Sequence, residues 1–339
     1  TTPRGVACIG GGADNETFSR AFLLTWDAAL KRAVEAPLPD FPCRVRLGAA
    51  AAKDNRVYAI GGEYAGSMPS DVWTLDLDAP QKGWRPLPAL PGAKGRTQAQ
   101  AFVQNGDQKK TYLYVIGGYA KNAAGVIQSL TDGYAYDLAP SAAEGRWQPI
   151  SPAVVGGQRA EGREQRSAVR DQASGLRPPT SGAWPLIGAR CVTSGDQHVL
   201  FFGGLDAAYF DDNQRKMAAL TGAAREAQRV AYQSAAPGTW NRRVLAYHTV
   251  TDRWFELGEV PFPPTVAGAA VKRSDGSVLL ASGEVQPGLR TPVCAAGKFV
   301  QRQRFHPLNW VVMGGYFCGL AGMGWWFMRK KKSADDYFR

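Results

Sequence analysis

The sequence has few of the residues that hold metals or carry redox chemistry. It contains three histidines and five cysteines in 339 residues, and none of them stand at CxxC or CxH spacing. Structural zinc sites and dithiol redox motifs need such closely spaced ligands. We therefore expect no metal site and no cofactor.

Sequence motifs for nucleic-acid binding are also missing. Forty basic and 29 acidic residues give a net charge of +11, but much of the excess is local, in residues 159–177 and 329–332. No helix-turn-helix, zinc-finger or stacked-aromatic RNA signature accompanies it. We attribute the charge to loops and membrane flanks in preference to a nucleic-acid surface, and expect no nucleic-acid partner.

The start of the sequence has no initiator methionine, no basic n-region and no signal-type apolar segment. Its first residues lead almost directly into a predicted core strand. We expect a fragment of a longer polypeptide, in preference to a chain from which a leader has been removed.

The sequence contains one short motif five times, a hydrophobic strand that runs into a glycine pair. The five copies end at Gly10-Gly11, Gly61-Gly62, Gly117-Gly118, Gly203-Gly204 and Ser282-Gly283. Three copies are followed by a second strand and a tryptophan, at Trp84, Trp147 and Trp254. The step from Gly10 to Gly61 is 51 residues, close to the kelch period of about 50. The pattern predicts an all-β, kelch-type β-propeller in which each tryptophan packs one blade on the next. A β-sandwich with glycine-rich turns is the alternative.

Two insertions lengthen the later repeats. Residues 151–184 are rich in Arg, Gly, Glu and Pro without an apolar period, which predicts a disordered surface insertion. Residues 207–240 predict a long loop with some helix, of the kind that covers or shapes a pocket. The propeller is predicted to occupy residues 1–296.

The C-terminal part of the chain is apolar. Residues 310–328 carry no charge and are long enough to span a bilayer. We predict a linker at 297–309, a transmembrane helix at 310–328 and a cytoplasmic basic segment at 329–339. The basic residues beyond the span place the propeller outside the cytoplasm. A buried core helix is the alternative.

The fifth copy of the motif departs from the others, because Glu284 follows the altered pair Ser282-Gly283. Arg290 comes six residues later, beyond a Pro287-Gly288 turn. A glutamate can accept and donate protons, and an arginine can hold a carboxylate through two parallel hydrogen bonds. A surface salt bridge that closes the turn would use the same two residues. The residues alone leave both interpretations open.

Residues 283–291, Gly-Glu-Val-Gln-Pro-Gly-Leu-Arg-Thr, resemble the Gly-Glu-x-x-Pro-Gly-x-Arg-Thr signature of the sialic acid mutarotases, the N-acetylneuraminate epimerase family, in its cyclically permuted branch. Residues 91–96, Tyr209-Phe210 and Trp240-Asn241 resemble further segments of that family. The resemblance covers residues 5–292. Kelch epimerases have six blades, so the sequence predicts an incomplete propeller.

The resemblance implies interconversion of the α and β anomers of N-acetylneuraminate without a cofactor. Glu284 takes the place of the catalytic glutamate, and Arg290 that of the arginine that binds the substrate. Arg96 and Asn241 are further substrate-binding candidates from the resembling segments. A non-catalytic kelch module that binds an acidic sugar or a protein partner is the alternative function.

Residues 308–339 resemble the first membrane helix of sodium:solute symporters, including an Asp-Asp-Tyr-Phe segment at 335–338. This resemblance implies a mutarotase joined in one polypeptide to a sodium-driven transporter. The expected location is the inner membrane, with the propeller in the periplasm.

Overall fold

The computed structural model describes residues 1–13, 16–93, 95–139, 145–155, 182–184, 186–299 and 307–330. The chain divides into two compact units, Thr1–Gly297 and Lys298–Arg339. Most of the insertion predicted at 151–184 lies outside the described residues. Its two ends are described, and they pair with each other as two short strands.

The strands of the first unit follow one another as a series of antiparallel meanders. The first region contains β1 (Val6–Ile9), β2 (Gly12–Ala13), β3 (Glu16–Thr17), β4 (Ala21–Asp27) and β5 (Arg32–Pro37). The second contains β6 (Ala49–Lys53), β7 (Arg56–Ile60), β8 (Val72–Asp76) and β9 (Arg85–Leu87). The third contains β10 (Gln100–Asn105), β11 (Thr111–Ile116), β12 (Tyr119–Lys121), β13 (Ile127–Ser129), β14 (Gly133–Asp137) and β15 (Trp147–Ile150).

The remaining described elements include three α-helices. The ends of the insertion form β16 (Val154–Val155) and β17 (Gly182–Ala183). The fourth region contains β18 (Arg190–Ser194), β19 (His198–Phe202), α1 (Ala207–Ala219), α2 (Gly222–Ala235), β20 (Arg243–His248) and β21 (Arg253–Glu259). The fifth contains β22 (Ala269–Lys272), β23 (Val278–Ala281), β24 (Glu284–Gln286), β25 (Leu289–Arg290) and β26 (Cys294–Gly297), and α3 (Pro307–Lys330) follows.

The described residues form five blades of a β-propeller. Blades two, three and four are four-stranded, with the orders β6-β7-β8-β9, β10-β11-β14-β15 and β18-β19-β20-β21. Blades one and five have three strands each, β1-β4-β5 and β22-β23-β26. The first strands of blades two to five contact one another in turn and therefore lie innermost. The all-β, kelch-type propeller predicted from the repeats is confirmed.

In blades two to five, the glycine pairs turn the chain out of the second strand through left-handed backbone; in blade one the pair follows β1. Gly61 and Gly62 have φ values of 56° and 105°. A Cβ on Gly62 would lie 2.4 Å from a methyl group of Val45, so a larger residue does not fit. Ser282 and Gly283 have φ values of 55° and 116°. The altered pair of the fifth copy therefore makes the same turn.

Three tryptophans form hydrogen bonds between consecutive blades. The indole Nε1 atoms of Trp84, Trp147 and Trp254 donate to the carbonyl oxygens of Pro39, Pro88 and Ser151, at 2.9, 2.8 and 2.9 Å. Each acceptor lies where the chain leaves the preceding blade. The ring buries apolar surface while its N–H finds a partner. The predicted packing of one blade on the next through tryptophan is confirmed.

Helices α1 and α2 form a hairpin between β19 and β20, where the sequence predicts a partly helical loop. The Asp206 side chain caps α1 by accepting from the Tyr209 N–H at 2.7 Å. Asp211 accepts from the backbone N–H and the hydroxyl of Ser129, both at 2.7 Å. Because Ser129 ends β13, these bonds fix the helical hairpin to blade three.

The second unit contains α3, whose side chains are exposed from Asn309 to Arg329. This stretch has a mean hydropathy of 1.3, and by length and composition it can cross a membrane. The helix is longer than the predicted span of 310–328. It runs from Pro307 to Lys330 and therefore includes residues 307–309 of the predicted linker and residues 329–330 of the predicted basic segment.

Candidate functional site

The inner strands of the propeller surround a central cavity of about 730 Å³. Much of its wall is alanine, including Ala49, Ala51 and Ala101, and these small side chains leave the space open. Among the described residues that line it, the basic ones are Lys53, Arg190, Lys272 and Arg290, and the acidic one is Asp196. A cavity with this excess of positive charge favours an anionic ligand.

Glu284 and Arg290 face each other across a tight hairpin. Strands β24 and β25 pair with Glu284 directly opposite Arg290. The turn between them contains Gly288, whose φ is 81° and whose N–H donates to the Glu284 carboxylate at 3.2 Å. Opposite residues of an antiparallel pair project from the same face, with Cβ atoms about 5 Å apart. The predicted turn is present and places the two residues opposite each other, and Arg290 lines the cavity.

The backbone of Glu284 is fixed to the entrance of the innermost strand of its own blade. Its N–H donates to the Val266 carbonyl at 2.7 Å, and its carbonyl accepts from the Val266 N–H at 3.1 Å. The side chain is half-buried. The backbone is therefore held, and the carboxylate, which accepts from the Gly288 N–H, is partly exposed.

Glu63 occupies the same position in blade two as Glu284 does in blade five, directly after the glycine pair. Its backbone bridges to Arg46 as that of Glu284 bridges to Val266. The Arg46 guanidinium lies 3.2 Å from the Glu63 carboxylate. In blade five, valine stands in place of that arginine. In blade two, Arg46 therefore neutralises the carboxylate of Glu63, whereas Glu284 lacks an equivalent partner.

Arg96 lies inside blade three, and its side chain is 1% exposed. Its guanidinium donates to the Gly117 carbonyl at 3.2 Å and to the Asp132 carboxylate at 3.3 Å. It also lies over the Tyr134 ring, 5.4 Å from the centroid. These contacts hold the glycine pair of blade three in place. Substrate binding by Arg96 stays a prediction, and the observed contacts give it a structural role.

Asn241 is buried beside the glycine pair of blade four. Its side-chain amide donates to the Gly203 carbonyl at 3.3 Å, and its backbone N–H donates to the Gly204 carbonyl at 3.0 Å. Its side-chain oxygen accepts from the Arg243 N–H at 2.9 Å. All of these bonds are internal to the blade, so substrate binding by Asn241 also stays a prediction.

Replacing Arg96 with methionine is expected to lower the free energy of unfolding by about 2–4 kcal/mol. The Gly117 carbonyl and Asp132 would lose a charged donor while the apolar stem is kept. Denaturant unfolding measures this change, and titration with an acidic sugar should show an affinity within about twofold of the parent. Weaker sugar binding with unchanged stability would instead support a role in the substrate site.

Two tyrosines of the helical hairpin lie beside the backbone partner of Glu284. The sequence analysis names Tyr209 within a segment that resembles the family, but it does not single out Tyr232. The rings of Tyr209 and Tyr232 stack with centroids 5.4 Å apart. Both pack in one cluster with Val266, the backbone partner of Glu284. Burial raises the pKa of Tyr232 to about 12, and the charges of Tyr209 and Glu284 act in the same direction. At neutral pH the Tyr232 phenol is therefore a proton donor beside a carboxylate.

The chain is similar to known N-acetylneuraminate epimerases. The family model described as N-acetylneuraminate epimerase matches residues 172–314. The N-acetylneuraminate epimerase of Yersinia enterocolitica is 30% identical over 266 residues, which are 77% of this chain and 57% of that protein. That of Haemophilus influenzae strain PittEE is 28% identical over 270 residues, 78% of this chain and 60% of that protein. The chain thus spans about three fifths of the length of these relatives.

A solved structure, that of YjhT, is similar in fold. It superposes with a TM-score of 0.58 at 23% sequence identity, covering 78% of this chain and 64% of YjhT. Neither a cyclic permutation nor a fused transporter follows from these comparisons. Over more than three quarters of its length, the chain is a β-propeller similar in sequence to N-acetylneuraminate epimerases.

Proposed function

We propose that the protein interconverts the α and β anomers of N-acetylneuraminate by general acid/base catalysis. The observation that carries this proposal is the pairing of Glu284 with Arg290 on one hairpin, with Arg290 at a cavity whose lining is mainly basic. The similarity to N-acetylneuraminate epimerases supports the choice of substrate.

Arg290 binds the carboxylate of the sugar in this mechanism. The sugar carboxylate is attached to the anomeric carbon, so a guanidinium that holds it also places the anomeric hydroxyl. Charge-assisted bonds of this kind are roughly twice as strong as neutral ones. The surplus of basic residues around the cavity attracts the anion and offsets the charge of Glu284.

Glu284 acts as the base. Its carboxylate takes the proton of the anomeric hydroxyl, the bond between the anomeric carbon and the ring oxygen breaks, and an acidic group donates a proton to the ring oxygen. The open-chain ketone then turns about its bond to the neighbouring carbon and closes on its other face. As the ring closes, Glu284 gives back the proton it took and the acidic group recovers its own, so the enzyme regains its starting state.

Exchange spectroscopy by NMR tests the proposal. The chain should accelerate exchange between the two anomers of N-acetylneuraminate above the rate in buffer, and it should leave the exchange of neutral glucose unchanged. Binding of the acidic sugar without acceleration would overturn the enzymatic proposal in favour of a non-catalytic kelch module. If the sugar neither binds nor exchanges faster, the acidic-sugar assignment would be overturned as well.

We also propose that α3 crosses the inner membrane with the propeller in the periplasm, joined in the same polypeptide to a sodium:solute symporter. The exposed apolar surface of α3 supports membrane insertion. Arg329 stacks on Trp325 at 3.9 Å, an arrangement suited to the interface of a bilayer. The Asp-Asp-Tyr-Phe segment at 335–338 lies outside the described residues, and the symporter stays a prediction.

Two aspartates in place of Leu320 and Met323 are expected to release the chain from membranes. Each adds about 3 kcal/mol to the cost of insertion near a helix centre. The parent chain should remain in the membrane pellet after an alkaline carbonate wash, and the double variant should appear in the supernatant. A pair of serines at the same positions is the control and should stay in the pellet. Release of the parent chain by the wash would contradict a membrane span.

A further inference from the structure

We infer that Tyr232 is the general acid that works with Glu284, delivered to the site by the α1–α2 hairpin. The inference rests on the proposed function and adds a second proton-transfer residue to it. In this arrangement, Glu284 handles the anomeric hydroxyl and Tyr232 handles the ring oxygen.

The first support is where the helical hairpin places the phenol. Tyr232 lies in the last turn of α2, where its carbonyl accepts from the Ala236 N–H. The following residues lead to Trp240 and Asn241, and Asn241 is bonded to the glycine pair of blade four. The end of α2 is therefore tied to the propeller on the side that carries the backbone bridge of Glu284.

The second support is the packing around the phenol. Tyr232 shares a cluster with Val266, whose backbone forms both hydrogen bonds to Glu284. The ring is held on one face by Tyr209, with an interplanar angle of 16°. The structure shows no hydrogen bond to the Tyr232 hydroxyl from any described residue. A half-buried phenol fixed in orientation, with a free O–H and a carboxylate nearby, is suited to donate a proton to a bound sugar.

The third support is the attachment of α1 to blade three, next to the Tyr209–Tyr232 stack. Asp211 binds Ser129 of blade three through two hydrogen bonds, and Phe210 packs on Tyr119 with ring centroids 5.6 Å apart. With attachments to blade three and blade four, the hairpin holds Tyr232 in a defined place. Such fixation is what an acid needs, because proton transfer depends on a donor held at hydrogen-bond distance.

The proton balance of the reaction closes with these two groups. On opening, Glu284 gains the proton of the anomeric hydroxyl, and the electron pair of that O–H bond becomes the second bond of the ketone. The bond to the ring oxygen breaks, and that oxygen takes the phenolic proton of Tyr232. On closing, the phenolate recovers its proton from the attacking hydroxyl, and the new anomeric oxygen takes the proton held by Glu284.

Phenylalanine at position 232 tests this inference, because it removes the hydroxyl and keeps the ring stack. Tyr232→Phe should lower kcat for anomer exchange by about 100-fold. KM and the thermal midpoint should stay close to those of the parent, since ring packing and the Arg290 contact are unchanged. Tyr209→Phe is the comparison variant, removing a hydroxyl from the stacked partner, and its kcat should fall much less than that of Tyr232→Phe.

Three outcomes would decide against the assignment. Parent-like kcat in Tyr232→Phe, with activity lost in Glu284→Gln, would overturn the role of Tyr232 and leave the proposed function standing. Equal losses in the Tyr232→Phe and Tyr209→Phe variants, with lowered thermal midpoints, would show that the tyrosines act through packing. Full activity in Glu284→Gln would overturn the proposed function itself.

Discussion

Replacing Glu284 with glutamine is expected to slow the catalysed exchange of sialic acid anomers by about 10²–10⁴-fold. Glutamine has the same shape, and its side-chain oxygen can still accept the hydrogen bond that Gly288 donates to Glu284 at 3.2 Å. It cannot take the proton of the anomeric hydroxyl at neutral pH. Sugar binding through Arg290 should therefore persist while the chemical step is lost.

NMR exchange rates at saturating sugar measure the first effect, and ligand-observed NMR titration measures binding. Glu63→Gln is the matched control, because Glu63 holds the same place in blade two and is paired with Arg46 at 3.2 Å. The control should exchange the anomers within about threefold of the parent. If the Glu284 and Glu63 variants behaved alike, the position of Glu284 beside Arg290 would have no special role.

Replacing Gly118 with alanine is expected to lower the free energy of unfolding by about 2–5 kcal/mol. Gly118 has a φ of 89°, and a Cβ there would lie 2.6 Å from the Thr97 carbonyl oxygen and 2.9 Å from the Ala99 nitrogen. Both neighbours are backbone atoms at the entrance to the inner strand, so they cannot move aside as a flexible side chain would. Overpacking adds to the cost of left-handed backbone.

Gly125→Ala separates these two costs. Gly125 also has a positive φ, 77°, but a Cβ there meets nothing within 4 Å. The control should lose only about 1 kcal/mol, from the backbone conformation alone. Denaturant unfolding of both variants measures the difference. Equal losses would show that close packing at the glycine pair does not restrict residue size.

Local spacing made a large part of this protein predictable. The glycine pairs and tryptophans recur because every blade makes the same turn and the same contact with its neighbour, so a single sequence contains several copies of each signal. Glu284 and Arg290 are separated by a short turn, and their pairing depends on a few consecutive residues. The apolar run of α3 is likewise a property of consecutive residues.

The surroundings of the candidate site depend on contacts between distant residues. Arg96 and Asn241 stand in sequence segments that point to substrate binding, but their polar atoms contact the glycine pairs of their own or a neighbouring repeat. Whether a buried arginine binds a substrate or a backbone carbonyl depends on which groups lie within hydrogen-bond distance. The sequence alone does not show that distance.

By itself, the sequence determined the propeller, the turns at the glycine pairs, the hairpin that joins Glu284 to Arg290 and the apolar C-terminal helix, because short-range periodicity and turn chemistry specify them. The tertiary structure decided the basic cavity, the pairing of Glu63 with Arg46 and the packing of Tyr232 with Val266, the backbone partner of Glu284. These depend on how five blades and an inserted helical hairpin pack together, and that packing joins residues far apart in the chain.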